Sequence, residues 1–519
     1  MGNLKRKLEL YEKIFQAFGP GVSHCQINQL ATLLHVSERH VQTLLKVMTA
    51  QGWIEWQASS GRSKKAQLMC LVEPIEACYQ YAQTQADTGN IEQVFSTLSF
   101  NGRNAGAELQ AFLNSANQSA QNVAYIPFHR ELEALHPQRV LRRTERFLVM
   151  QVCQRLTTVQ HGKLSGDLAY HWQPNQDATQ WHFQIRNGVQ FHNGRTLEPQ
   201  DIARNLNSLI QSKIWRRCYQ HIDEVSASAG NVVVVKLNQP DWHLPRLLAR
   251  VEASVFDHSS PTDRLIGSGA FSLDIFSSKM LRLSRNSTYS HSTPILNRVE
   301  LWVYPEWAQS KACAQNQVCV KLPEKTVTVC GDDHSSQPDF GSTFFKIQSP
   351  MLSKTVREFT VEDTSECQTL FEQLSVSGDS KTNVEYGHYL TNYLTTKDVA
   401  LCSIIDENDT FTSWLSFFTR FPFEDLALPT EMIDRIEQGL TSITNQPNFE
   451  LAMNALLELK HWLNDSGVVV ELKHWLNDSG VVVELKQEAF NLEVSEKIHG
   501  AQVNGFGWCE LDQLWISHF

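Results

Sequence analysis

No stretch of the 519 residues approaches the ~18 consecutive apolar residues of a membrane-spanning helix, so no membrane partner is expected. Met1-Gly2-Asn3-Leu4-Lys5-Arg6-Lys7 is basic, but Glu9, Glu12, Lys13 and Gln16 break up the apolar residues that follow. That is not the core of an export signal. The 11 cysteines are odd in number, scattered and without a C-x-x-C pair, which predicts reduced thiols in a cytoplasmic protein. With no H-E-x-x-H run and no Cys/His cluster, no metal is expected. A nucleophile elbow, a P-loop and a dinucleotide fingerprint are also missing, so neither a cofactor nor a catalytic residue is expected and the chain is not read as an enzyme. Charged residues make up only 19% of the chain, below the usual ~25%, while hydrophobic residues reach 42%. This composition excludes a disordered chain, and the length exceeds what one core serves, so several domains are expected.

The charge that is present is unevenly placed. Residues 1–72 hold nine basic and four acidic side chains, a charge of +5, whereas the whole chain carries −11 and residues 73–519 therefore −16. A small basic head on an acidic body implies that the head alone meets a polyanion. Leu4, Leu8, Tyr11, Phe15 and Phe18 recur at helical spacing and predict a helix over 4–18, stopped by Gly19-Pro20-Gly21. A second helix is expected from about Gln26 to Leu34, with Ile27, Leu30, Ala31 and Leu34 inward. After a turn at His35-Val36-Ser37 comes a third, capped by Ser37 and reaching about Ala50.

On that third helix Val41, Leu44, Leu45 and Met48 form an apolar stripe, and Arg39, Gln42, Thr43 and Lys46 share the opposite face, with His40 at its flank. These are residue types that read base edges and hold a phosphate. Trp53 to Gln57 and Ala66 to Leu71 then read as two strands around a basic tip carrying Arg62, Lys64 and Lys65. Helix, short turn, polar third helix and basic hairpin form a winged helix-turn-helix, whose expected partner is a double-stranded DNA operator. Its candidate contacts are Ser37, Arg39, His40, Gln42, Thr43, Lys46, Arg62, Lys64 and Lys65. The competing readings are a merely solvated polar face and a helix-turn-helix used for protein contacts. Residues 73–122 read as helices that brace the head, with Gln- and Asn-rich stretches and a linker ending near Asn122.

From 123 to 519 strands and helices alternate, which indicates an α/β body. Trp181-His182-Phe183-Gln184-Ile185-Arg186-Asn187-Gly188-Val189-Gln190-Phe191-His192-Asn193-Gly194 leads through Glu198 and Pro199 into a helix. This run resembles the peptide and nickel class of extracellular solute-binding proteins, family 5. The likeness continues through Val232 to Asp241, Ile266-Gly267-Ser268-Gly269-Ala270-Phe271 and Leu283-Ser284-Arg285-Asn286-Ser287-Thr288-Tyr289, but is weak over 305–519. Trp181, Phe183, Val189 and Phe191 are expected in the core, Trp215, Trp302, Trp307 and Trp414 in the core or as surface anchors, and His171, His182 and His192 as satisfied polar groups. Joined to a winged helix, the whole resembles the SgrR family of bacterial transcriptional regulators. The resemblance implies a multidomain protein: an α-rich winged helix-turn-helix head (1–72), a helical bracing region (73–122) and a two-lobed α/β body of the type II periplasmic-binding-protein kind (123–519). It implies an activator of a small-RNA stress response whose small-molecule effector is a phosphorylated sugar. The residues that hold the effector are not readable from the sequence. The alternative is a cytoplasmic solute- or peptide-binding protein without sequence-specific DNA binding.

One feature belongs to no family pattern. Glu458 to Val470 is repeated without change as Glu471 to Val483, and two copies are too few for a solenoid. Each copy reads as a helix end, an Asp-Ser-Gly stop and a Val-Val-Val strand. One strand is expected in the native sheet and the other in an insertion.

Overall fold

The computed structural model describes residues 4–58, 65–116, 122–160, 162–259, 264–304, 318–321, 341–348, 356–387, 398–426, 428–465 and 480–517. The chain divides into two units, one of Met1–Glu131 with Ser277–Leu281 and Glu300–Gln317, the other of Leu132–Phe276, Arg282–Val299 and Val318–Phe519.

The first unit begins with α1 (Leu4–Phe18), β1 (Gly21–Cys25), α2 (Ile27–Leu34), α3 (Glu38–Ala50), β2 (Ile54–Gln57) and β3 (Ala66–Cys70). The face α1 buries is rotated from the expected stripe: Leu8, Leu10, Tyr11 and Ile14 are buried, while Phe15 and Phe18 stay half-buried. Tyr11 is the reason. Its ring stacks on Trp53 at 5.4 Å and its hydroxyl donates to Trp53 O at 2.9 Å, tying the first helix to the start of β2. The three strands form one antiparallel sheet in the order β1-β3-β2. β1 is absent from the sequence reading because it carries almost no apolar pattern. Only Cys25 of its five residues is buried, and backbone pairing to β3 holds it.

Three further helices follow, α4 (Pro74–Asp87), α5 (Ile91–Leu98) and α6 (Ala105–Ala116). α4 opens with Pro74, whose missing N–H costs nothing at a helix start, and with a reciprocal Glu73–Glu76 capping box. α5 buries Ile91, Val94, Phe95 and Leu98, and Phe95 and Phe112 pack against Trp302 at 6.3 and 6.4 Å. β4 (Val123–Phe128) joins this unit, where Tyr304 N–H donates to Phe128 O at 2.8 Å.

In the second unit α7 (Arg143–Val152) precedes β5 (Thr157–Gln160), β6 (Lys163–Gly166), β7 (Ala169–Pro174), β8 (Gln180–Ile185), α8 (Pro199–Ile210), β9 (Ile222–Ser228) and β10 (Val232–Leu237). The last four strands form an antiparallel sheet, β7-β8-β10-β9. Trp181, Phe183 and Ile185 alternate inward from β8 and meet Ile202, Leu206 and Leu209 of α8, as the two periodicities require. The Asn187-Gly188 and Asn193-Gly194 turns hold their glycines at φ +75° and +83°, a region other side chains rarely adopt. The short strand expected between them is a single bridge, Gln190 to Thr196. Trp181, Phe183, Val189 and Phe191 are buried, as are Trp215, Trp302 and Trp414; Trp307 lies outside the described residues.

After β11 (Phe271–Phe276), β12 (Met280–Arg285), β13 (Arg298–Val303) and β14 (Val318–Lys321) comes a mixed five-stranded sheet. It consists of β15 (Gly341–Gln348), β16 (Glu358–Glu362), β17 (Ser380–Val384), β18 (Val399–Ile405) and β19 (Val482–Ala489) in the order β17-β16-β18-β15-β19. Helices Thr410–Arg420, Thr430–Asn445 and Phe449–Asp465 supply Trp414, Phe417, Ile436, Leu456 and Leu463 to its core.

The duplicated segment is divided between these elements. The first copy gives the helix end, Glu458 to Asp465, and the second gives the strand, with Val482 and Val483 opposite Ile347 and Lys346. Residues 466–479 lie outside the described residues. Val481 N–H donates to Leu463 O at 2.9 Å, and a Cβ on Gly480 would stand 2.0 Å from Asn464 O, so the glycine is needed for that approach. With one copy removed, Val481 would follow Leu463 by five residues, and this bond would be the six-to-one bond that closes many helix C-termini. The junction therefore keeps the geometry of an unduplicated chain.

Candidate nucleic-acid interface and candidate solute site

The turn before α3 is built from backbone hydrogen bonds. His35 adopts the left-handed conformation at φ +53°, its N–H donates to Thr32 O at 3.3 Å, and Val36 N–H donates to Ala31 O at 3.1 Å. This pair closes α2 in the Schellman manner, with a histidine where glycine is usual. Ser37 then caps α3, its hydroxyl accepting His40 N–H at 3.3 Å, and Glu38 places a negative charge in the first turn.

α3 presents two faces. Val41, Leu44, Leu45 and Met48 are buried; Ser37, Arg39, His40, Gln42, Thr43 and Lys46 are all exposed. The Thr43 hydroxyl donates to Arg39 O at 3.1 Å, which spends the hydroxyl on the helix and leaves the methyl outward. Arg39 to Lys46 spans seven residues, about 10 Å of helix, or about three base-pair steps of ~3.4 Å. Lys65 is exposed immediately before β3. Arg62 and Lys64 lie outside the described residues.

The second unit contains a cluster of charges that are far apart along the sequence. Arg146 of α7 reaches Glu252 at 2.8 Å and Glu407 at 2.7 Å; Arg250 reaches the same two carboxylates at 2.8 and 3.1 Å. Tyr219 adds a hydroxyl to Glu252 at 3.1 Å. Burial pushes the Glu252 carboxyl up, but Arg250 and Arg146 outweigh it and hold it well below its ordinary value. Trp215 lies between two guanidiniums, Arg420 at 4.1 Å and Arg146 at 4.9 Å from its ring. Glu407 and Asn408 follow β18 at φ +46° and +69°, a strained pair of non-glycine residues of the kind that collects at functional sites.

Arg146, Arg250 and Arg420, with Trp215, Tyr386 and Glu407, line a cavity of about 70 Å³. The NH1 atoms of Arg146 and Arg250 are buried without a hydrogen-bond partner among the described residues. Guanidinium nitrogens only donate, and the Glu407 carboxylate, an acceptor, lines the same cavity. The sequence reading placed Trp215 in the core and named no residue for the effector. Contacts such as Arg146 to Glu407, 261 residues apart, leave no local pattern; the one local trace is Arg250-x-Glu252.

Of the histidines expected to be satisfied, His192 is only partly so, since its Nδ1 is buried without a partner among the described residues. His182 meets Gln180 at 2.8 Å, and His192 meets Gly269 O at 3.1 Å, with burial pushing its pKa down to about 4. His171 is exposed.

Comparison with known proteins bears on both sites. Residues 6–120 match the family model for the N-terminal part of the sugar transport-related sRNA regulator, and residues 163–337 that for the middle part of bacterial extracellular solute-binding proteins, family 5. The HTH-type transcriptional regulator SgrR of Yersinia pestis (strain Pestoides F) is 29% identical over 314 residues, 59% of this chain and 55% of that protein. The uncharacterized protein YbaE of Escherichia coli (strain K12) is 30% identical over 305 residues, 58% of this chain and 53% of that protein. The chain thus spans about half the length of the curated relatives it matches. Among solved structures, the periplasmic binding protein DppA of Helicobacter pylori in complex with peptide STSA has a TM-score of 0.59 at 11% identity, covering 78% of this chain and 99% of that one. NikA of Staphylococcus aureus gives 0.55 at 13% identity, covering 76% and 100%. The body therefore has the fold of family 5 solute-binding proteins. The chain carries an SgrR-type N-terminal domain together with a family 5 solute-binding domain, and the named functions among these relatives are regulation and solute binding, not catalysis.

Proposed function

We propose that the protein is a one-component transcription regulator of the cytoplasm, with a DNA-binding head (1–72), helices that support it (73–122) and a solute-sensing body (123–519). The observation that carries this reading is the exposed column of Arg39, Gln42, Thr43 and Lys46 on a helix that follows a tight, capped turn. Arg39 and Gln42 read base edges, the Thr43 methyl meets thymine, and Lys46 with Arg62, Lys64 and Lys65 neutralises phosphates. Ser37 and His40 lie at the end of α3 that enters the groove first.

The effector we propose is a phosphorylated sugar, held by its phosphoryl group on the free NH1 atoms of Arg146 and Arg250. The cavity, about 70 Å³ and open to solvent, takes the phosphoryl group in this proposal. Enclosing the whole molecule would bring the wall from Ser403 to Arg420 and the Arg146–Arg250 side together around it, as in hinge motion. The likeness to sugar transport-related regulators supports this ligand and, with it, activation of a small-RNA stress response.

The test is selection of genomic fragments on the full chain at near-physiological salt, with and without a hexose phosphate. One enriched motif that changes with the sugar phosphate is expected. Enrichment indifferent to it removes the ligand from the proposal, and no enrichment at all leaves a solute-binding protein without sequence-specific DNA binding.

A further inference from the structure

The second unit holds another, larger cavity, of about 660 Å³, which shares only Ser416 with the arginine-lined one. Its size lies within the ~300–1,000 Å³ of small-molecule pockets. The polar groups around it are almost all committed. Asp241 accepts from His221 at 3.1 Å and from His243 N–H at 2.8 Å, and Arg217 is ion-paired with Glu424. The hydroxyls of Thr419, Thr441 and Thr444 donate to Leu415 O, Glu437 O and Thr441 O of their own helices, and Thr412 donates to Asp409. Glu437 is exposed and solvated.

Besides the exposed Gln220 and Gln239, what remains is His243. It is 6% exposed, its Nε2 has no hydrogen-bond partner among the described residues, and the ring is wedged edgewise against Phe411 and Phe449 at 5.0 and 6.0 Å. Burial holds the imidazole below its ordinary pKa, so it is neutral at pH 7. The other walls are Leu247, Leu415, Phe418, Phe421, Ile433 and Leu440. An ionic ligand would bury its charge here with no buried counter-charge to spare, whereas a pure hydrocarbon would leave the imidazole nitrogen unsatisfied.

We propose that this cavity is a second small-molecule site, for an uncharged, mainly apolar compound bearing one hydroxyl or ring N–H that hydrogen-bonds His243 Nε2. It differs in chemistry from the anion site and does not depend on it. The probe is 1-naphthol, titrated calorimetrically and by saturation-transfer NMR into the full chain, the His243→Phe variant and the Leu440→Trp variant, which places an indole in the cavity. Saturable binding at one site is expected, lost in Leu440→Trp and weakened about tenfold in His243→Phe, the scale of one hydrogen bond. The charged isostere 1-naphthyl phosphate should fail to displace 1-naphthol. Should Leu440→Trp not fold, Thr419→Phe, at a half-buried wall position, replaces it. No saturable binding, undiminished binding in the folded filled variant or in His243→Phe, or displacement by the phosphate ester would each overturn the proposal. Hexose phosphate binding by the same variants, read separately, reports on the arginine cavity alone.

Discussion

Arg39 on α3 and Arg146 on α7 carry the same guanidinium in opposite settings. Arg39 is exposed. Arg146 is 2% exposed and holds two carboxylates that come from residues 252 and 407. The contrast sets out two ways of placing positive charge, which the proposed function assigns to two kinds of anion. A polyanion is met by charges left in water on one helix face, where phosphate contacts release counterions. A small anion is met by charges taken out of water, which must first be neutralised internally so that only a directed N–H remains.

Removing the buried member of that comparison should have the largest effect. Arg146→Met leaves Glu252 and Glu407 short of a cation and should destabilise the body by about 3–5 kcal/mol in urea unfolding. Arg39→Ala should change it by less than about 0.5 kcal/mol. Equal losses would erase the distinction between the two arginines.

Next is a pH effect confined to the body. Glu362 is fully buried, and burial raises its carboxyl to about 7, only partly offset by Gly387 N–H and the Ser403 hydroxyl, two residues that line the anion cavity. A folded pKa above the unfolded one means that the folded state binds more protons between about 4.5 and 7. Stability contributed by this group is present at low pH and is lost as pH rises through 7, by about 3 kcal/mol. Glu362→Gln should flatten that part of the stability profile, and an unchanged slope in the variant would discard the assignment.

On the head, Arg39→Ala should cost about 1–3 kcal/mol of operator affinity and relax base discrimination at one position. Lys65→Ala should weaken all duplexes alike and lower the salt slope by about one, without altering the preferred sequence. A binding motif unmoved by Arg39→Ala would take recognition away from α3. The smallest effect expected is from deleting residues 466–478. Since the Val481–Leu463 bond and the Gly480–Asn464 approach already match the single-copy geometry, stability should rise or fall by less than about 1 kcal/mol. A deletion that unfolds the body would show that the inserted residues are structural.

The difference in setting also explains what the sequence discloses. Helices α1 to α3 and the two strands after them follow from spacing, because their buried and exposed residues alternate within single elements; Ser37 is where a cap is expected and is one. β1 escaped because a strand with one buried residue has no hydrophobic rhythm, and the rotation of α1 escaped because it depends on Tyr11 finding Trp53. In the body, the Trp181 to Pro199 run fixes a strand, two glycine turns and a capped helix. The arginine-lined cavity is different in kind. It gathers α7, Trp215, Arg250, the turn after β18 and the helix Thr410–Arg420, so it exists only once the chain is folded.

The most direct measurement is a reciprocal titration on the full chain at fixed salt: operator affinity with and without saturating hexose phosphate, and hexose phosphate affinity with and without operator. A sensor that couples the two predicts the same factor in both directions, about 5- to 150-fold. Affinities that are unchanged by the other ligand would contradict it.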